Sequence, residues 1–356
     1  MTDGPQTHPA SRHVRSLWRA EAEYDGPLGS LTRLNATSFP ILKRLSIKRL
    51  ILQPGAIREP HWHANANELT YCVSGKVLVS VLDTGDVFGA FTIGPGQMFH
   101  IDSGSLHSIE QMGADPAELI VIFSSEHPED FSLHGAFGAM TDAVLGNTYD
   151  LPSAAIAPLT RDTSSPIIVE SSEPAAAPGR AGFGDPHAFD LEAQIPPLDY
   201  PYGSVKLARK QFWPALQNLA MYSLRIAPDG MREPHWHPAT AELGYVMAGH
   251  ARMTILSPDG STDTYVLAPG DTYFVPRAYP HQIEVIGDEA IHFLVCFDQA
   301  TPGDIGYRAS ASALTTRVLA ATFGVGEDAI PALPFTPVDP LIVHRENPVD
   351  PTPGQR

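Results

Sequence analysis

The chain has 356 residues, 43% of them apolar, and a formal net charge of −17. That balance argues against nucleic acid, whose phosphates need a Lys/Arg surface, and no window reaches the ~20 uninterrupted apolar residues of a transmembrane helix. Only Cys72 and Cys296 carry thiols, too few for a disulfide framework, which fits a reducing compartment.

In chain order, residues 1–28 read as an N-terminal extension. Its start, Met1 to Ala20, has charges, prolines and histidine but no apolar h-region, so it does not read as a Sec signal and a cytoplasmic location is expected. Residues 29–150 read as a first domain. There Val77 to Leu82 is β-branched and apolar and stops at Asp83-Thr84-Gly85-Asp86, the pattern of strand and tight turn, and Leu133 to Leu145 is a weak helix candidate. Residues 151–200, rich in Pro, Ala, Ser and Gly, read as an extended linker with little structure of its own. Residues 201–330 read as a second domain, in which Arg252 to Leu256 precedes the turn Ser257-Pro-Asp-Gly260. Ser312 to Phe323 is the best helix candidate, with Leu314, Val318, Leu319 and Phe323 near helical spacing and Ser312 as N-cap. Residues 331–356 form a Pro-rich tail that wraps or frays. The 34 prolines and 29 glycines punctuate short apolar runs, which predicts an all-β protein with short helical segments after each domain.

The chain repeats itself. Arg58-Glu-Pro-His-Trp-His63 recurs as Arg232-Glu-Pro-His-Trp-His237. The same offset carries Glu68 to Glu242, Gly75 to Gly249, Gly96 to Gly270, His107 to His281 and Phe123 to Phe297, so two domains of one fold are expected.

Each copy holds three histidines and a glutamate: His61, His63, Glu68 and His107, then His235, His237, Glu242 and His281. Residues two apart on a strand share a face, so each His-x-His pair projects together. The glutamate can return from the next strand, and the distant histidine from a strand crossing nearby. Three imidazoles and a carboxylate suit a divalent first-row metal, with Mn or Fe favoured over a closed tetrahedral zinc site.

These residues resemble the cupin superfamily, whose motifs are G-x5-H-x-H-x3,4-E-x6-G and G-x5-P-x-G-x2-H. Copy one departs only at Asp102, where Pro is usual; copy two has Ala278 where Gly is usual, and its opening Gly230 falls one residue late. The resemblance implies two tandem double-stranded β-helix (jelly-roll) barrels. The hexapeptide is similar to that of the oxalate decarboxylase and oxalate oxidase type of bicupin. That implies a small carboxylate substrate, dioxygen as a second partner, a manganese cofactor and a homo-oligomer, with Arg58 and Arg232 engaging the carboxylate. Arginine presents a planar fork suited to that task. Oxalate decarboxylation to formate and carbon dioxide is the leading expectation. Oxalate oxidase, another metal-dependent cupin dioxygenase, and a non-catalytic metal- or sugar-binding bicupin are the alternatives.

One departure bears on the chemistry. Decarboxylases of this type carry a lid glutamate in a Ser-Glu-Asn-Ser segment after the first barrel, and this chain has none. The corresponding stretch, Ser124 to His134, offers Glu126, Glu129 and Asp130, with Glu129 and Asp130 as the candidate acids; the second copy's loop offers only Asp304. Trp62 and Trp236 are expected outside the barrels, and Glu59 and Glu233 at the surface or an interface.

Overall fold

Alternation builds the walls of both barrels. In Leu106–Gln111 every second residue, His107, Ile109 and Gln111, is buried, and in His281–Ile286 so are His281, Ile283 and Val285. Strands of this kind must turn one face to a core. The computed structural model describes residues 11–85, 87–176, 184–334, 336 and 341–349. The chain divides into two units, Leu17–Ala193, and Gln194–Arg356 together with the residues up to Ser16.

In the first unit a seven-stranded sheet runs Ala188–Asp190, Gln97–Ile101, Glu68–Ser74, Ala117–Phe123, Ser46–Leu52, Gly29–Leu34, Ala22–Gly26. Another sheet runs Asp130–Ser132, Ala56–His63, Leu106–Gln111, Val77–Asp83, Val87–Ile93. Every pairing is antiparallel, and Val79, Val81, Ile101, Leu119 and Val121 lie in the core. The second unit repeats this plan, with Gly230–Trp236 and His281–Ile286 as neighbours in one sheet and Glu242–Ala248 in the other. The all-β expectation holds, with short helices after each barrel.

The 151–200 stretch is more than a linker. It holds a helical turn at Ser153–Ile156, and its strand Ile168–Glu170 lies against Arg58, Ile57 and Ala56. Its strand Ala188–Asp190 becomes the outer strand of the first seven-stranded sheet, while Val14–Ser16, one repeat offset earlier in the chain, takes the same place in the second unit. Each is pinned by a histidine: His187 Nδ1 donates to His100 O at 2.7 Å, and His13 Nδ1 to Phe274 O at 2.8 Å. The tail docks too, Ile342–His344 pairing with Gly230–Trp236.

The expected helix from Ser312 to Phe323 is two helices, Tyr307–Ser312 and Thr316–Phe323. Ser312 ends the first. Thr315 caps the second by accepting the Val318 N–H, and Gly324, left-handed at φ 68, closes it. Thr141 does the same for Asp142–Thr148 in the first unit.

The cupin glycine that the second copy lacks has a measurable consequence. Gly104 and Ala278 occupy the same turn at φ 86 and φ 64, and their N–H groups donate to His63 O at 2.9 Å and His237 O at 3.0 Å. A Cβ at Gly104 would meet nothing within 4 Å, so the cost of a side chain in this turn is conformational. Ala278→Gly is expected to raise stability by about 0.5–1 kcal/mol, after the entropy of a more mobile unfolded chain is subtracted. Gly104→Ala should lower it by a similar amount. Thermal unfolding of the two variants checks both signs.

Candidate metal centres

His61 and His63 share a face by simple alternation, but Arg58, three residues before His61, should then point away. The pairing brings it in. His107 lies opposite His61 and Ile109 opposite Arg58, so two steps on one strand answer three on the other. The extra residue is a β-bulge at Glu59-Pro60, where a proline, having no N–H, costs no ladder bond. The second copy repeats it, with His281 opposite His235 and Ile283 opposite Arg232. Arg58, His61 and His63 are all buried as a result, as are Arg232, His235 and His237. Glu68 opens a strand of the other sheet, opposite Phe123 and Ile101, and so closes the site.

In each copy the four ligand atoms lie within 4.8 Å of one another. The imidazoles are oriented from behind. His61 Nδ1 donates to Glu59 O at 2.7 Å, His107 Nδ1 to Ser105 O at 3.0 Å, and His63 Nδ1 to Asp130 Oδ1 at 2.7 Å. In the second copy the acceptors are the carbonyls of Glu233, Tyr279 and Gly303, at 2.8, 3.0 and 3.2 Å. With Nδ1 committed as donor, Nε2 of each histidine faces the centre, and His63 Nε2 and His237 Nε2 lie 2.8 and 2.7 Å from Glu68 Oε2 and Glu242 Oε2. The glutamates are held as well: Thr70 donates to Glu68 Oε1 at 2.7 Å and Tyr273 to Glu242 Oε1 at 2.6 Å.

This donor set fits a cation. Burial, and then the neighbouring guanidinium, push His61 and His235 well below the usual imidazole range, which leaves them neutral ligands. Burial works against charge on Glu68 and Glu242, yet the histidines around them hold both carboxyls well below the usual carboxylate range. His107 Nε2 and His281 Nε2 are buried without a hydrogen-bond partner, 3.5 and 3.4 Å from the glutamate oxygens. Lone pairs and a carboxylate turned on one point are satisfied by a metal ion and by little else.

The Cupin family model matches the chain twice, over residues 17–156 and 190–330. This chain belongs to the cupin family. Among curated relatives, oxalate decarboxylase OxdC of Bacillus subtilis (strain 168) is 29% identical over 311 residues, 84% of this cupin and 79% of the relative. Germin-like protein 3-8 of Oryza sativa subsp. japonica is 32% identical over 133 residues, 36% of this chain and 59% of the relative. The structure of oxalate decarboxylase from Bacillus subtilis at pH 4.6 matches with a TM-score of 0.84 at 26% identity, over 96% of this chain and 89% of that one. A structure of the same protein, from work on its Mn(II) centres, matches with a TM-score of 0.83 at 26% identity, over 96% and 90%.

The two cupin pockets differ beyond their ligands. The first, about 260 Å³ of empty space, is walled by Leu31, Leu50, Ile109, Val121 and Phe123. Besides Arg58 it contains Lys48, which the sequence reading did not single out. Its Nζ lies 3.0 Å from Asp130 and 3.1 Å from Glu23. The second pocket, about 450 Å³, has Tyr222 at the position equivalent to Lys48 in the repeat. Burial pushes that phenol up to about 12, so it stays protonated at neutral pH.

Of the candidate acids, Asp130 reaches the site and Glu129 does not. Asp130 pairs with Arg58 at 3.5 Å as well as with Lys48 and His63. Partial desolvation works against its charge, but the His63 hydrogen bond and the cations Lys48 and Arg58 outweigh it and hold the carboxyl well below its usual range. It is therefore an acceptor here, not a proton donor. Glu129 is exposed and absent from the pocket wall, its backbone tied to Ala64 and Asn65. Glu126 accepts the Arg44 N–H at 2.7 Å, also away from the site. Asp304 pairs with Arg232.

Glu59 and Glu233, expected at the surface or an interface, are 2% and 4% exposed. The Glu59 carboxylate is covered by Ser132, Ser165 and Ile167, whose donors it accepts, and that of Glu233 accepts the Arg308 N–H. Trp62 and Trp236 are half-buried, against Phe131 and Tyr307 respectively.

Proposed function

We propose that this chain is a manganese-dependent oxalate decarboxylase, and that the first barrel is its catalytic copy. The observation that carries the reading is a buried pocket in which Arg58 and Lys48 face the ligands His61, His63 and Glu68. Two cations beside a metal site, each also paired with Asp130, suit a small anion, and the similarity to oxalate decarboxylase of Bacillus subtilis points to oxalate. His61, His63, Glu68 and His107 would hold the ion in the first copy; His235, His237, Glu242 and His281 would hold it in the second. Bound manganese supplies Lewis acidity and one-electron chemistry, with dioxygen as the second small-molecule partner. Arg58 grips a carboxylate through its fork, and Lys48 balances the remaining charge. The aliphatic wall excludes water and strengthens both contacts. The C–C bond then breaks, carbon dioxide leaves, and the retained carbon takes a proton to become formate.

A second reading, oxidation to two carbon dioxide with release of peroxide, draws on one observation. Neither Glu126 nor Glu129 lines the pocket, and Asp130 is held ionised, so among the described residues no carboxylic acid stands ready to protonate the carbon. One assay separates the two. Metal-loaded protein given oxalate under oxygen should yield formate and carbon dioxide in equal amounts, with peroxide a minor product. Peroxide matching oxalate consumed would replace decarboxylase by oxidase. Metal-loaded protein inert to oxalate and other small acids would leave a non-catalytic bicupin.

The same reading includes a cytoplasmic homo-oligomer. Both thiols are free and buried, and among the described residues no helix is long and apolar enough to cross a membrane. After each barrel the same apolar positions are exposed, Met140, Val144 and Tyr149 matching Leu314, Val318 and Phe323 in the repeat. Faces of that kind are found at subunit contacts. Light scattering that returned a monomer would overturn the oligomer.

A further inference from the structure

In both copies the guanidinium facing the metal ligands is held by a carbonyl from far along the chain. Arg58 Nη1 donates to Ile167 O at 3.1 Å across 109 residues, and Arg232 Nη1 to Leu341 O at 3.1 Å across another 109. The same two oxygens accept the N–H of Glu59 and of Glu233, each at 3.1 Å. Both carbonyls belong to left-handed residues, Ile167 at φ 64 and Leu341 at φ 57. A β-branched residue is rarely found there. Such strain persists only where the surroundings over-determine it.

In the first copy those surroundings are explicit. Glu59 Oε1 accepts the Ile167 N–H at 3.2 Å and the Ser165 hydroxyl, while Oε2 accepts the Ser132 hydroxyl at 2.9 Å. The strand Ile168–Glu170 then pairs with Arg58, Ile57 and Ala56. In the second copy Glu233 accepts the Arg308 N–H at 3.3 Å, and Ile342–His344 pairs with Arg232, Met231 and Gly230. A chance contact would not recur in both copies at the same oxygen, distance and backbone conformation.

We infer that Ile167 and Leu341 are carbonyl clamps that fix the planes of Arg58 and Arg232, and that Glu59, whose carboxylate anchors the first clamp, is a positioning residue for carboxylate recognition. One N–H of each guanidinium is spent on the clamp, which sets the direction of those left for substrate. The inference rests on the proposed role of the arginines in binding the carboxylate.

The test is a cycle on the full-length, metal-loaded protein. Glu59→Ala should raise the KM for oxalate about tenfold, the loss of one well-placed bond to a charged group, with kcat and metal content nearly unchanged. In an Arg58→Ala background the same change should add nothing. Ile167→Gly keeps the carbonyl while giving up a side chain packed against the first core, so it should leave KM unchanged whatever its melting point. An equal rise in KM in both arginine backgrounds, a fall in metal content, or a raised KM in Ile167→Gly would each overturn the clamp. A wild type that does not turn over oxalate defeats the proposed function instead. Mapped labelling of Arg58 by phenylglyoxal then decides the clamp: faster in Glu59→Ala and unchanged in Ile167→Gly supports it, and equal rates in both overturn it.

Discussion

His61→Ala should cut oxalate turnover by about 10³-fold, while His235→Ala leaves it within about threefold of wild type. A metal site contributes several kcal/mol to a transition state, and each step of about 1.4 kcal/mol is tenfold in rate. Each substitution removes one imidazole from a set of four ligand atoms gathered within 4.8 Å, so each should lower bound metal from two ions per chain to one. The asymmetry in turnover, set against symmetry in metal loss, is the informative part. It follows from the pocket that offers Lys48 beside Arg58, where the other offers a protonated Tyr222 beside Arg232. Metal analysis and formate release on the same preparations check both halves. The reverse pattern would move catalysis to the second barrel. Full turnover in both variants would remove catalysis from these sites altogether.

The ligands were legible because periodicity and duplication act together. A strand repeats every two residues, so His61 and His63 had to share a face, and the constant offset between the copies showed the entire set twice. The inward turn of Arg58 was not legible from alternation, which sends a residue three positions away to the opposite face. It needed the bulge at Glu59-Pro60. Glu59, expected at the surface or an interface, is buried because Ser165 and Ile167 fold over it from far along the chain. The carbonyl clamps were missed for a different reason. Ile167 and Leu341 carry no polar side chain, and what they contribute is a carbonyl oxygen in an uncommon conformation. Composition reads Pro- and Ala-rich segments as extended, but it does not say which sheet edge will receive them. Ser312 was read as a helix start because it precedes an apolar run, yet Thr315 satisfies the N-terminal donors three residues later.

The second large effect falls on the arginine. Arg58→Lys should lower kcat/KM for oxalate by up to about 10²-fold, because a point charge replaces a planar fork and loses one of its two bonds to a carboxylate, each worth about 1.5–3 kcal/mol when charged. Arg232→Lys should have little effect on turnover. Lys48→Leu should cost less, about tenfold and mainly in KM, since Lys48 is already paired with Asp130 at 3.0 Å and Glu23 at 3.1 Å and must share its charge. The rank order tests the division of labour in the first pocket. Arginine fixes direction, whereas lysine adds only field. If Lys48→Leu were the more damaging change with metal content intact, the ammonium would be the principal carboxylate contact. Arg58, with its Nη1 on Ile167 O and its Nη2 towards Asp130, would then be a structural tie between the clamp segment and the barrel. Steady-state kinetics on the three variants, each with its metal content measured, distinguish these outcomes.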